Sequence, residues 1–205
     1  ERVMRDARVN LIIEGTSEIM HLFIAREALD THLRRMKPLL SPKVSLINKL
    51  KAIFSSGFHY FFWYLRLLIP FNFLAGGNFP APLKKHIKYI NRNSKRLART
   101  IFHKMVYYQQ KLESKQNIMA RIVNIGTDLF AMSAALSYAA GLIKKGSDKS
   151  EIIALADLFC SETKARIENQ FCELCCNNDK KIKSVNKKIL ADKYLWLEDG
   201  IIKPS

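Results

Sequence analysis

Residues 118–146 read IMARIVNIGTDLFAMSAALSYAAGLIKKG, and they decide the fold class. Ile118, Ile122, Ile125, Leu129, Met132 and Leu136 recur every three or four positions, the spacing of one helix face. Lys144 and Lys145 place cations in a last turn, and Gly146 follows where a helix stop favours glycine. Downstream, Asp148 with Glu151 three residues later predicts a helix start, because each side chain can accept from a free backbone N–H. Ile152, Leu155, Phe159, Ile167, Phe171 and Leu174 are the expected buried face of that helix, and a further helix around 182–190 is expected to close a bundle. Upstream, Ile87, Ile90, Leu97, Ile101, Met105 and Tyr108 lie along a long basic helix. It is preceded by the clearest break in the chain, GGNFPAP at 76–82. No stretch alternates with period two for long. The expected fold is all-α.

The composition agrees with a packed protein. The 205 residues are 48% hydrophobic, which excludes a disordered polyelectrolyte, and 8 Gly with 6 Pro argue against collagen-like or turn-dense β chains. No run of about twenty uncharged apolar residues is present, against a simple membrane span. Residue 1 is Glu and the first thirty residues carry no signal-peptide pattern, so the chain is expected to be a piece whose beginning lies elsewhere. Lys and Arg number 34 against 18 Asp and Glu, a formal charge of +16. The imbalance is local: residues 31–112 hold 16 basic residues and no acidic one. Such a one-signed field attracts an anionic surface. Between Lys43 and Phe79 aromatic and aliphatic residues are interspersed with Lys49, Lys51 and Arg66, a composition suited to the headgroup boundary. Arg66, Pro70 and Asn72 oppose a full crossing, so an in-plane helix or re-entrant hairpin on an anionic membrane is expected. A helix pair docked on the bundle or on a partner is the competing reading. Nucleic acid is not expected, because the aromatic cluster and the densest basic run at 84–104 are not interleaved.

Near the N-terminus Glu14, Gly15 and Thr16 stand between two helical patterns. A carboxylate beside Leu11, Ile12 and Ile13 is open to desolvation, which raises its pKa and suits a general base. Gly15 lacks the Cβ that would block a ligand approaching the backbone. Equally, Gly15 can end one helix while Thr16 or Ser17 caps the next, with Glu18 in its first turn. The residues alone leave both readings open.

The order Met4-Arg5-Asp6-Ala7-Arg8, a hydrophobic run, Glu14-Gly15-Thr16, the polar pair Ser17-Glu18, Ile19, and a helix through Ala25-Arg26-Glu27 resembles the C-terminal catalytic segment of the acyl-CoA dehydrogenases. The likeness covers about Arg5 to Leu29. The basic insert and second bundle, with Gly126-Thr127-Asp128-Leu129-Phe130-Ala131-Met132 and Asp199-Gly200-Ile201-Ile202, are similar to the very-long-chain subfamily. The resemblance implies that Glu14 removes the α-proton of an acyl-CoA thioester while a hydride leaves the β-carbon for FAD. It implies that the Glu14 N–H bonds the thioester carbonyl, that Gly15 lets substrate pass, and that Thr16, Ser17 and Glu18 contact FAD. It further implies a homodimer, an electron-accepting flavoprotein partner and long-chain substrates. The implied location is peripheral on a membrane, the mitochondrial inner membrane in a eukaryote or the cytoplasmic or inner-membrane face in a bacterium.

The family's N-terminal helical and central β domains have no counterpart here, so these residues alone are expected neither to hold FAD tightly nor to turn over substrate. The expected division is 1–37 as the end of the catalytic helical domain, 38–82 as the membrane-associating segment and 83–205 as a second helical bundle. A non-catalytic scaffold or assembly factor on the same fold is the alternative.

Two weaker signals carry no site. Cys172 and Cys175 have the gap of zinc ligands, but no second ligand pair accompanies them, so no metal is expected. His21, His32, His59, His86 and His103 show no Ser or Asp constellation along the sequence and are expected at surfaces or interfaces.

Overall fold

In a computed structural model the chain is all-α, as the spacing predicts. The structure describes residues 2–9, 16–40, 46–69, 79–112, 114–146 and 148–198. In order these form α1 (Arg2–Val9), α2 (Ser17–Leu40), α3 (Leu46–Leu68), α4 (Ala81–Tyr108), α5 (Gln116–Lys144), α6 (Lys149–Glu173) and α7 (Asp179–Ile189), with short 3-10 turns at Gln109–Leu112 and Leu195–Glu198.

The boundaries follow local chemistry. Pro80 caps α4 and Pro82 sits in its first turn, where an N–H would have no intrahelical partner. Gly146 takes φ +91° and its N–H bonds the Ile143 carbonyl at 3.3 Å, so α5 ends as the Lys-Lys-Gly run predicts. Asp148 Oδ1 accepts the Ser150 N–H at 2.8 Å and starts α6. Pro38 and Pro42 suggest a break after the first helix, but α2 continues through Pro38 to Leu40; the proline lacks the N–H that would bond the Arg34 carbonyl. Pro42 lies outside the described residues.

α5 is the central helix, and Ile118, Ile122, Ile125, Leu129, Met132 and Leu136 are all buried. By length and composition α5 could cross a membrane, yet α2, α4 and α6 pack around it and it reads as a core helix. Its partners present small or branched residues to it: Ala25 and Leu29 from α2, Leu83 from α4, and Ala156, Cys160 and Ile167 from α6. The expected α6 face is off by one position over its first half. Leu155 and Phe159 are exposed, and the adjacent line through Ala156, Cys160 and Thr163 is buried instead. Small side chains on that line let the helices close at short range, which outweighs burial of the larger residues.

The fourth member of the bundle also differs from expectation. α7 forms where the sequence places it, but none of its residues is buried. α2 packs against α5 in its stead. α3 lies outside this layer against α2 and α4, as one continuous helix rather than a hairpin reversing within 46–68.

Candidate functional site

The N-terminal constellation falls on the passage between α1 and α2. Glu14 and Gly15 lie outside the described residues. Thr16 is exposed, and its carbonyl accepts the Met20 N–H at 3.0 Å, the first hydrogen bond of α2. Thr16 thus stands at the cap, and Ser17 and Glu18 form the first turn. The N–H groups of residues 17–19 precede that first bond and have no partner within the helix. Free N–H groups at a helix start can donate to an anionic or carbonyl oxygen. Ala25 and Leu29, further along the same helix, are buried against α5 and fix its axis.

α3 has two faces of opposite character. Inward, Phe102 of α4 packs against Tyr60 and Trp63, with ring centroids 5.2 and 5.7 Å apart. The Tyr60 hydroxyl meets His32 Nδ1 at 3.0 Å, and the Tyr64 hydroxyl meets His103 Nε2 at 3.2 Å. At its C-terminal end, Lys95 Nζ donates to the Ile69 carbonyl at 2.9 Å and Arg99 Nη1 to the Leu67 carbonyl at 3.3 Å. These cations satisfy free carbonyls at the negative end of the helix dipole. Outward, Phe54, Phe58, Phe61, Phe62, Leu65 and Leu68 form a continuous exposed stripe; Phe54 is 81% accessible. The docked-helix reading and an apolar outer surface are both realised on one helix.

The seam between α4 and α6 is polar, which the spacing did not foretell. His86 is buried at the interface of α4 and α6, within the expectation of a surface or interfacial residue, and its Nε2 meets Asp157 Oδ1 at 2.8 Å, a partner the sequence did not show. The pair joins residues 71 apart in sequence, which no local pattern reveals. Lys85 Nζ also contacts Asp157, at 2.7 Å. Hydrogen bonds from Lys85 and His86 hold the Asp157 carboxyl below the usual range. One turn on, Tyr89 donates to Glu168 at 2.8 Å, and Arg96 contacts Glu168 at 2.8 Å while lying 3.9 Å from the centre of the Phe171 ring. Partial burial works against ionisation of Glu168, but the bonds from Arg96 and Tyr89 prevail and lower its pKa. Desolvation, with Glu168 alongside, pushes Tyr89 well above the usual phenol range. This seam borders a cleft of about 430 Å³ that also includes Ser161 and Lys164.

Among the described residues Arg34, Lys85, Lys95, Arg96, Arg99 and Lys104 of the basic stretch are bonded within the fold. The network joins helices; its acids and bases already satisfy one another. Cys160 is buried and its thiol is pushed up to about 11, first by desolvation and then by Asp157, whereas Cys172, Cys175 and Cys176 are exposed. Among the described residues no group of three His, Cys, Asp or Glu is placed to hold a metal.

The family model described as "ACAD9/ACADV, C-terminal domain" matches residues 81–195, more than half of the chain and all of α4 to α7. Over its full length the chain is 36% identical to proteins named probable acyl-CoA dehydrogenase FadE10 from Mycobacterium tuberculosis and Mycobacterium bovis. It covers 32% of those relatives, so it spans about a third of their length. A likeness that runs through the N-terminal constellation as well as the bundle leaves one assignment: the chain belongs to the acyl-CoA dehydrogenase family, and corresponds to its C-terminal helical part.

Proposed function

We propose that this chain is the C-terminal, proton-abstracting portion of an FAD-dependent acyl-CoA dehydrogenase acting on long acyl chains at an anionic membrane. The observation that carries the reading is the 36% identity to named acyl-CoA dehydrogenases, in a match that spans the whole chain. Glu14 is the group that takes the α-proton of the thioester, and its own backbone N–H donates to the thioester carbonyl. That bond stabilises the charge developing on oxygen, without which a carboxylate is far too weak a base for a carbon acid. Gly15 keeps the backbone open to the acyl chain. Thr16, Ser17 and Glu18, with the free N–H groups of α2, hold part of FAD, a group that when bound accepts the hydride leaving the β-carbon. The other contacts belong to the two thirds of the relatives' length that this chain does not span.

Exposed apolar residues fit that arrangement. Val3, Met4 and Val9 on α1 and Ile19, Met20, Phe23 and Ile24 on α2 lie on faces that the bundle leaves open. These would pack against the remaining domains and against a second subunit of a homodimer, with an electron-accepting flavoprotein reoxidising the enzyme. The outward stripe of α3 supports peripheral attachment to anionic phospholipid. In a eukaryote that surface is the mitochondrial inner membrane. Preference for long acyl chains rests on likeness to the very-long-chain subfamily.

Turnover of palmitoyl-CoA with a flavin-reoxidising dye, by a protein in which this chain is joined to the portion its relatives carry, tests the catalytic reading. Glu14→Gln should lower kcat by about a hundredfold or more, with KM much less affected. Equal turnover by the Gln variant would remove Glu14 from the chemistry. No turnover by either form would favour the assembly-factor reading.

A further inference from the structure

We propose that α7 and the turn after it form a second lipid-binding arm, separate from α3, that lays a basic amphipathic helix on anionic phospholipid. Among the described residues, the side-chain hydrogen bonds between α7 and the bundle gather at its first residue. Arg121 of α5 makes a bidentate pair with Asp179, 2.7 and 2.8 Å, and also reaches Glu173 at 3.2 Å. Asn117 adds a bond to Asp179 at 3.2 Å. These contacts secure the first residue of the helix. Beyond it every residue of α7 is exposed.

What the helix exposes is ordered. Ile182, Val185 and Ile189, spaced by three and four, form one apolar line. Lys181 and Lys188 border the line on one side and Asn186 on the other, with Lys183 beyond Asn186 and Lys180 and Lys187 behind, as the hundred-degree step of a helix requires. Asp179 is committed to Arg121, so α7 offers no other acidic residue to oppose its five lysines. Leu195, Trp196 and Leu197 follow, all more than half exposed. Long lysine stems flanking an apolar line can run along it and lift their ammonium groups to phosphate level, while an indole favours the same boundary.

Charge complementarity selects the occupant. A second copy of α7 packed on the apolar line would bring the lysines around it, five from each copy, close together. An anionic bilayer supplies hydrocarbon for the line and phosphates for the lysines around it at once. The arm starts at the end of the bundle where α4 finishes, since Lys104 Nζ donates to the Leu174 carbonyl at 2.8 Å. α3 runs antiparallel to α4, with Tyr64 beside His103 and Ile69 beside Lys95, so its N-terminal end, with Lys49 and Lys51, points toward that same end of the bundle.

The test uses the full chain in a Trp63→Phe background, which leaves Trp196 as the sole tryptophan. Phosphatidylcholine vesicles with phosphatidylglycerol should shift Trp196 emission to the blue and allow its quenching by brominated acyl chains; phosphatidylcholine alone should do neither. Ile182→Ser with Val185→Ser and Ile189→Ser, or Lys181→Glu with Lys183→Glu and Lys188→Glu, should weaken the response about tenfold or more. All six residues are exposed, so the bundle should keep its helical circular dichroism.

An unmoved Trp196 with anionic vesicles, or the same shift with neutral ones, overturns the proposal. So does a Trp196 already shielded from acrylamide without lipid, which would place the arm on protein, whether a second copy or an acidic partner. The α3 surface is read separately, by flotation of Phe58→Ser with Phe61→Ser, so either surface can fail while the other stands.

Discussion

Cys160 illustrates how one buried side chain sets both reactivity and pH response. Its thiol has no accessible surface and a pKa pushed up to about 11, while the other three cysteines are exposed. An aromatic disulfide reagent at mildly alkaline pH should label three thiols quickly in the folded chain and the fourth only on unfolding. Because the folded pKa lies above the unfolded value of about 8.5, this thiol favours folding fully below that value. Its contribution is lost as pH rises through about 11. Cys160→Ala should flatten the alkaline decline in the urea midpoint; an unchanged decline would assign it to other groups. The sequence does not reveal Asp157 beside this cysteine. His86 and Asn93 are invisible for the same reason. Polar residues enter the core only through partners supplied by the fold, here Asp157 for His86 and the Tyr89 carbonyl for Asn93.

At the scale of elements, two glycines, one inside α5 and one just past its C-terminal end, respond in opposite directions. Gly126 has helical backbone, and a Cβ there would meet Leu97 at 3.8 Å, an ordinary contact. Gly126→Ala should therefore stabilise the chain by about 0.5–1 kcal/mol. Gly146 sits at φ +91°, so Gly146→Ala should destabilise by about 1–2 kcal/mol although nothing crowds the site. Chemical denaturation of both variants checks the signs. Helix ends were legible because they are local: Lys144, Lys145, Gly146 and Asp148 each act within one turn. Which face of α6 turns inward was not, because Leu155 and Ala156 differ by one step around the axis, and only the closeness of α5 prefers the smaller. The outer helix α3 was half legible. Its aromatic content was plain, but its capping by Lys95 and Arg99 depends on α4 lying alongside.

For the whole molecule, the excess positive charge is less free than its count implies. Arg121, Arg96 and Lys85 are bonded to Asp179, Glu168 and Asp157, and all three carboxyls titrate below their ordinary values. A depressed folded pKa gives stability that is complete above the unfolded value, about 4, and is lost as pH falls through the folded value. The urea midpoint should hold nearly level from neutrality to mild acid and then drop below about pH 4. Asp179→Asn should lower the neutral-pH midpoint and reduce the drop; an acid limb unaltered in that variant would show that Asp179 does not contribute to it. All-α character and a helix start at Thr16 and Ser17 could be anticipated from the chain alone. The role of α2 as the fourth bundle helix could not, since Ala25 and Leu29 look ordinary until α5 is set against them.

That role has a consequence for inheritance of damage. Thr16 to Glu18 begin the same rod whose Ala25 and Leu29 are gripped by α5, roughly 12 Å farther along at 1.5 Å per residue. A lesion remote from the proposed chemistry, such as truncation of Ile125 or Met132, would loosen that grip and let the start of the rod wander. On the catalytic reading, such a variant would present to a geneticist as an enzyme defect while every reacting group remained in its sequence.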